Sequence, residues 1–428
     1  MKIQLVTITL FLLFSVLDSN AQKKWIRSSD GLPADTVLSL TKIGNVLFVR
    51  TENSGVYKST DYGNNWIPMP TNNAFKNSST WSMATIDTFL FAALRGGGIL
   101  RTSINGTRWD TTNYGIGRGS KIIQDIISVG STLYAATYGG GVLISTDSSK
   151  SWSVLYNHRG IDDRNVFSLA YNSKYLFAGT AGINKTMPDT GVAFVTPFGG
   201  DSWQTINNGF VRNGAHLEGV SAMCANDSVV FAGTDDVGIF RSTDNGQVWH
   251  QVPNSNLNGD VHSILITGKH VYYGTLFGGI YSSDDNGITF TANNIGLNYQ
   301  STSIPYLVKD FVVLGDTIYA ATTHGVYKQT LPTDAVGVES GGEQHVCPSI
   351  QVTPFNSTIQ IVICAEEMGS CRVSVYTTMG QKTRPSEQHT VQTGMNHIQF
   401  DVNGLAPGGY YVQVCGLHNF LAGKFFVH

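Results

Sequence analysis

The stretch Ser242-Thr243-Asp244-Asn245-Gly246-Gln247-Val248-Trp249 constrains the fold more than any other, because variants of it return almost from one end of the chain to the other. Ser, Asp and Gly at this spacing suit a tight turn between two strands. The carboxylate accepts bonds from N–H groups in the bend, the Gly supplies φ > 0, and the closing Trp covers the turn. The phrase recurs with Ser59, Asp61, Gly63 and Trp66, with Ser145, Asp147 and Trp152, and with Ser283, Asp285, Gly287 and Phe290. Weaker copies end at Trp109, with Ile104 in the Asp position, and at Trp203, with Phe198 there. The closing aromatics lie about 40 to 50 residues apart, the period of stacked supersecondary units.

Ahead of each turn comes an apolar phrase such as Leu133-Tyr134-Ala135-Ala136-Thr137 or Val230-Phe231-Ala232-Gly233-Thr234, in seven copies beginning at 46, 89, 133, 176, 230, 271 and 318. Each unit predicts four strands; in the fifth they cover 220–225, 229–234 and 238–242, with the last running from Trp249. Four short strands per unit favour radial blades over a helical solenoid. The seventh unit runs past Lys328 with no turn phrase and no Trp. The missing piece stands at the other end, where Trp25-Ile26-Arg27 with Gly31-Leu32 matches the segments after the other turns, such as Phe290 with Gly296-Leu297. These features predict an all-β fold: a seven-bladed β-propeller over 22–331 whose N-terminal strand closes the last blade and leaves no open edge.

Charged residues are only 13%, Gly numbers 47, and the net charge of −3 gives no basic field, so nucleic acid is set aside as a partner. Residues 1–21 carry Lys2, an apolar run and small residues Ser19 and Ala21, the pattern of a removable signal peptide; no later run is long enough to cross a bilayer. A Gly-containing linker is expected over 332–346. Over 347–428, alternating apolar segments between turn residues predict a small β-sandwich.

The turn phrase resembles the Asp-box (BNR repeat) of sialidase-like β-propellers, which implies architecture rather than chemistry. At the other end, Val352-Thr353-Pro354-Phe355, Val375-Tyr376-Thr377-Thr378-Met379-Gly380-Gln381, Leu405-Ala406-Pro407-Gly408-Gly409-Tyr410-Tyr411-Val412 and Gly423-Lys424-Phe425-Phe426-Val427 resemble the C-terminal sorting domain of type IX secretion cargo. That resemblance implies passage through the periplasm and across the outer membrane, with the secretion machinery as partner, then release or surface attachment. Four of the five cysteines, Cys347, Cys364, Cys371 and Cys415, cluster in this region. In an exported chain they can form two disulfides in three connectivities, with Cys364–Cys371 across an expected hairpin as the first pair and Cys347–Cys415 as the other. Cys224 reads as a small core residue.

The a–b and c–d turns of every unit are short, whereas the connections 68–79, 157–164, 207–218 and 292–305 are long and share a face with the b–c turns, so that face is the expected binding side. Positions that differ between repeats are free of the blade's own demands. They give Glu52, Arg95, Tyr138, Asp235, Asp236, Phe277 and His324 in the b–c turns, with Tyr114, Arg118, His158, Arg159, Arg212, His216 and Tyr299 in the neighbouring connections. Aromatic rings with Arg, Asp and His between them suit a glycan or a polypeptide. Asp125 and Asp310 replace a Ser or Ala of the other first strands and are the candidate acid/base pair if the ring is a glycoside hydrolase. An assembly factor is a third reading. No G-x-S-x-G, H-E-x-x-H or phosphate loop occurs, sialidase's Arg-Ile-Pro is missing, and no phrase calls for a metal or cofactor.

Overall fold

The computed structural model describes residues 24–332 and 351–427 except 73, 76–79, 181–191, 211, 214–215, 236, 254, 256–259, 277, 298–305, 356–357, 366–368, 378–382, 384–386, 392–393, 403–404, 407 and 417–418. The expected signal peptide, nearly all of the expected linker and Cys347 lie outside this set.

Among the described residues from Ile26 to Thr330, seven four-stranded antiparallel sheets succeed one another, and this part of the chain is therefore a seven-bladed β-propeller. Strands within each blade are called a to d from the channel outward. The a strands are Val37–Ile43, Thr80–Ile86, Ile123–Val129, Val166–Tyr171, Val220–Ala225, Val261–Thr267 and Val308–Leu314. Blade 7 takes its outermost strand from the other end of the chain: Ile26–Arg27 pairs with Gly325–Thr330, Ile26 facing Lys328 and Arg27 facing Tyr327. Trp25 thus occupies the place of the closing Trp of that blade. It is 1% exposed, and its indole N–H donates to Asn293 O of blade 6 at 2.9 Å.

The same stitch recurs around the ring. The indole N–H of Trp66 donates to Ser28 O, that of Trp152 to Thr112 O and that of Trp249 to Ile206 O, each on the preceding blade. In the two eroded copies, Trp109 and Trp203, the buried indole N–H has no partner among the described residues. Within the turn, Ser242 Oγ donates to Asp244 Oδ1 at 2.6 Å and accepts from Gly246 N–H, while Val248 N–H donates to the same carboxylate. Asp61, Asp147 and Asp285 repeat the arrangement. Hydrogen bonds from Asn65, Ser59 and Asn64 hold Asp61 at about 2, well below the usual carboxylate range, and bonds led by those from Ser151 do the same for Asp147. These turns favour the folded state above about pH 4 and lose that contribution as pH falls through about 2.

Among the described residues, seven apolar clusters fill the spaces between neighbouring blades. Packing is close enough that Gly31, Gly115, Gly160, Gly209 and Gly296 stand where a closing Trp of the adjoining blade crosses the chain. At Gly209, φ is +101° and an added Cβ would lie 2.0 Å from Trp249 O. Gly209→Ala is therefore expected to destabilise the ring by at least about 2 kcal/mol, because backbone must move as well as adopt a strained φ. Gly44→Ala, at φ +55° with open space around it, bears the strain alone at about 1 kcal/mol. Urea midpoints of the two variants check the order.

The chain from Gln351 forms two further antiparallel sheets. One has Thr358–Ala365 between Gln351–Phe355 and Gly394–Asp401; the other runs in the order Glu387–Val391, Gly369–Thr377, Gly408–Gly416, Asn419–Val427. The hairpin expected between Cys364 and Cys371 is not formed, because their strands belong to different sheets: Cys364 faces Met395, and Cys371 faces His389 and Gly416. The cysteine side chains of this region lie outside the described residues. Cys224 is fully buried, and burial raises its thiol to about 12, which suits a core residue.

Candidate functional site

Every a strand carries the same irregularity near its start. In blade 1 the register passes from Val37 opposite Thr51 to Ser39 opposite Arg50, leaving Leu38 without a partner. The bulge repeats in all seven blades and skips Trp81, Gln124, Phe167, Ser221, His262 and Lys309 in turn. A bulge re-aims the extra residue, and each of the seven lines the central cavity, about 700 Å³ in volume. This is a ring of structurally equivalent positions that differ in chemistry. Leu38, Trp81 and Phe167 give blades 1, 2 and 4 apolar residues, with polar Gln124 on blade 3 between the last two, while Ser221, His262 and Lys309 make blades 5, 6 and 7 polar.

Trp81 is 41% exposed, and the Arg95 guanidinium lies 5.2 Å from its ring centroid, in cation–π range. Tyr138 meets Phe167 edge to face at 6.3 Å. His262 Nε2 and Gln124 Oε1 are buried with no hydrogen-bond partner among the described residues. Burial, helped by the charge of Lys309, pulls His262 down to about 4, so its ring is neutral near pH 7. Burial also lowers Lys309, against the opposing pull of Glu52 and Asp260. The mouth therefore holds both signs of charge close together.

Beneath the bulges lies the position occupied by Ser39, Ser82, Asp125, Ser168, Ala222, Ser263 and Asp310. Asp125 accepts from Ser82 Oγ in blade 2, from Leu169 N–H in blade 4 and from its neighbour Ile126 N–H, at 2.8 to 2.9 Å. Asp310 accepts from Ser39 Oγ and Leu40 N–H in blade 1, and from Phe311 N–H, at 2.8 to 3.0 Å. Burial raises both carboxyls, Asp310 to about 7. Each residue keeps some contact with the channel, but protein packs around the carboxyl itself, and that enclosure sets the shift.

Of the residues expected from sequence, Glu52, Arg95 and Asp235 line the cavity together with Asp125 and Asp310, and Tyr138 stands beside it on Phe167. Glu52 sits on a turn braced from below: buried Arg50 donates to Glu52 O and Gly55 O, and Asp35 accepts from Asn53 and Ser54 N–H. Tyr114, Arg118, His158, Arg159 and His324 do not line the cavity. Tyr114 is 79% exposed, Arg159 pairs with exposed Asp201, and His324 stacks on Tyr306 at 4.2 Å. Arg212 and His216 lie in the short strands Arg212–Asn213 and His216–Leu217, but their side chains lie outside the described residues, as do Asp236, Phe277 and Tyr299 entirely.

Sequence reasoning missed the bulge ring. Its signal was present in the triplets Val37-Leu38-Ser39, Val166-Phe167-Ser168 and Val261-His262-Ser263, whose middle residue changes while its neighbours hold.

A family model for the DUF6242 β-propeller domain matches residues 47–255. No curated protein matches. Among solved structures, YCF48 from Cyanidioschyzon merolae is similar at 14% identity and a TM-score of 0.54, covering 72% of this chain and 99% of that one. The extracellular domain of the putative hybrid two-component system BT4673 from B. thetaiotaomicron is similar at 13% and 0.57, covering 81% and 45%. PorZ, a bacterial surface component of the type IX secretion system of Porphyromonas gingivalis, is similar at 15% and 0.52, covering 93% and 60%. At these identities the likeness is one of fold. No helix among the described residues is long and apolar enough to cross a membrane.

Proposed function

We propose that the chain is an exported, non-catalytic binding propeller whose ligand, a glycan or a polypeptide, sits over the channel mouth on the face of the b–c turns. One observation carries this reading: the ring of bulge residues gives seven equivalent positions different side chains around one cavity, while the blade beneath stays uniform. Uniform scaffold with varied lining is what selection for recognition leaves. Non-catalytic action is supported by Asp125 and Asp310, each of which spends both carboxyl oxygens on three protein donors. A glycosidase acid or nucleophile needs an oxygen directed at the sugar. Export rests on the N-terminal leader pattern and the sorting-domain phrases, and surface or extracellular propellers among the similar structures support it.

The test applies the purified chain to glycan and peptide arrays and assays released sugar in parallel. Retention without turnover is expected, weakened about tenfold or more when Glu52 and Arg95 are both replaced by Ala, since two lost contacts of about 1 kcal/mol each suffice. Sugar release, or binding indifferent to both substitutions, overturns the reading.

A further inference from the structure

We propose that the bulge ring is a subsite for an uncharged pyranose, which stacks on Trp81 and places hydroxyl groups against His262 Nε2 and Gln124 Oε1. This rests on the binding reading above and specifies its ligand.

Three observations converge on that chemistry. The ring is two-sided, with the exposed indole of Trp81 and the ring of Phe167 on one part of its circumference and His262 and Lys309 on another. A pyranose has the matching character, with C–H groups on its faces and hydroxyls around its edge.

Four cavity-lining residues, Gln124, Ser168, His262 and Ser263, carry a buried polar atom with no partner among the described residues, and the two of them on the bulge ring, Gln124 Oε1 and His262 Nε2, are both uncharged. Gln124 is 7% exposed, and its Oε1 can only accept; neutral His262 can accept or donate at Nε2 depending on its tautomer. A hydroxyl serves either tautomer, because it donates and accepts. A buried polar atom left without a partner is costly, so these two atoms ask for a ligand that brings such groups.

The charged groups at the mouth already interact with one another or with Trp81. Lys309 already lies in the field of Glu52 and Asp260, Arg95 already covers Trp81, and Asp235 adds a further carboxylate. A charged ligand would have to compete with these existing interactions, whereas an uncharged one leaves them in place. An extended peptide gains little here by strand addition: the channel-facing N–H groups of Leu40, Ile126, Leu169 and Phe311 are taken by Asp310 and Asp125.

The experiment titrates the purified full chain, by calorimetry and by Trp fluorescence, with neutral gluco-, manno- and galacto-oligosaccharides, with polygalacturonate fragments as anionic sugars, and with a library of extended peptides. A neutral oligosaccharide is expected to bind, with affinity changing less than about twofold between roughly 0.05 and 0.5 M NaCl. Trp81→Ala and His262→Ala should each weaken it by about tenfold or more. Gln124→Leu, which keeps the volume but removes the acceptor, should do so as well. Trp81 is exposed, so its loss is expected to leave the thermal midpoint within a few degrees, and circular dichroism confirms that the variants fold. Binding of peptide or polygalacturonate alone, lost with Trp81→Ala, sinks the sugar subsite and leaves the binding reading standing. No binding from any library sinks both, and neutral-sugar binding that survives the three substitutions places the sugar elsewhere and sinks the subsite.

Discussion

Trp25→Ala is expected to cost the propeller about 3–5 kcal/mol. The indole is 1% exposed within a cluster that includes Leu265, Ile280, Leu297, Tyr306 and Ile318, so truncation leaves a cavity between blades 6 and 7. It also removes the bond to Asn293 O that ties the N-terminal strand to the neighbouring blade. Gly296, at φ +94° with Trp25 O 2.2 Å from where its Cβ would lie, has no side chain with which to fill the gap. The consequence is larger than the contact alone. Ile26–Arg27 holds blade 7 by two residue pairs, and without its anchor the edge of Gly325–Thr330 is left unpaired. The ring should therefore melt roughly 5–15 °C lower. Ile26→Ala, one residue away but 59% exposed, sets the control at no more than about 1 kcal/mol. Calorimetric melts that place the two variants together would show that closure does not depend on this indole.

That closure was legible because a repeat protein carries its own internal comparison: the phrase absent after Lys328 was present at Trp25, and no knowledge of three-dimensional contacts was needed to match them. The strands of blade 5 were placed to within a residue or two for the same reason. Radial position was not legible. A d–a connection starts at the rim and ends at the channel, so early residues such as Tyr114, His158 and Arg159 lie off the cavity, whereas Thr36, Asp260 and Leu307, each just before an a strand, line it. Loop length gave the face; distance along the loop sets the radius. The bulge ring escaped because an extra residue in a strand is visible only against its partner's register, which a sequence read as simple alternation does not supply. The expected Cys364–Cys371 hairpin failed for a related reason: two apolar strands with a short connection read alike whether they pair with each other or enter different sheets.

Asp310→Ala is expected to destabilise the ring by about 2–4 kcal/mol, because it strands the N–H groups of Leu40 and Phe311 and cuts one of the links from blade 7 to blade 1. Asp310→Asn is the sharper probe. Its amide can satisfy Phe311 N–H and Ser39, but its NH2 group meets Leu40 N–H donor to donor, so it still loses stability. The two roles open to this residue separate by pH. Burial raises Asp310 to about 7 in the folded chain, against a usual value near 4 when unfolded, so between those values the folded state holds a proton that the unfolded state has given up. Stability from this group is therefore fully present below about pH 4, falls by up to roughly 1.4 kcal/mol per pH unit as pH rises toward 7, and changes no further above it. Asp310→Asn removes that slope, so wild type and variant should converge in urea midpoint as pH is raised from 5 to 8. A carboxyl poised near 7 in a cavity also has the profile of a general acid, and the measurement decides between the two roles. If Asp310→Asn melts like wild type at every pH while abolishing a sugar-releasing activity, the residue is an acid catalyst and the binding reading is wrong. If it melts lower in acid and ligand affinity at the mouth is unchanged, Asp310 is one of the clasps that join the last blade to the first, and the ring above it recognises its ligand without cutting it.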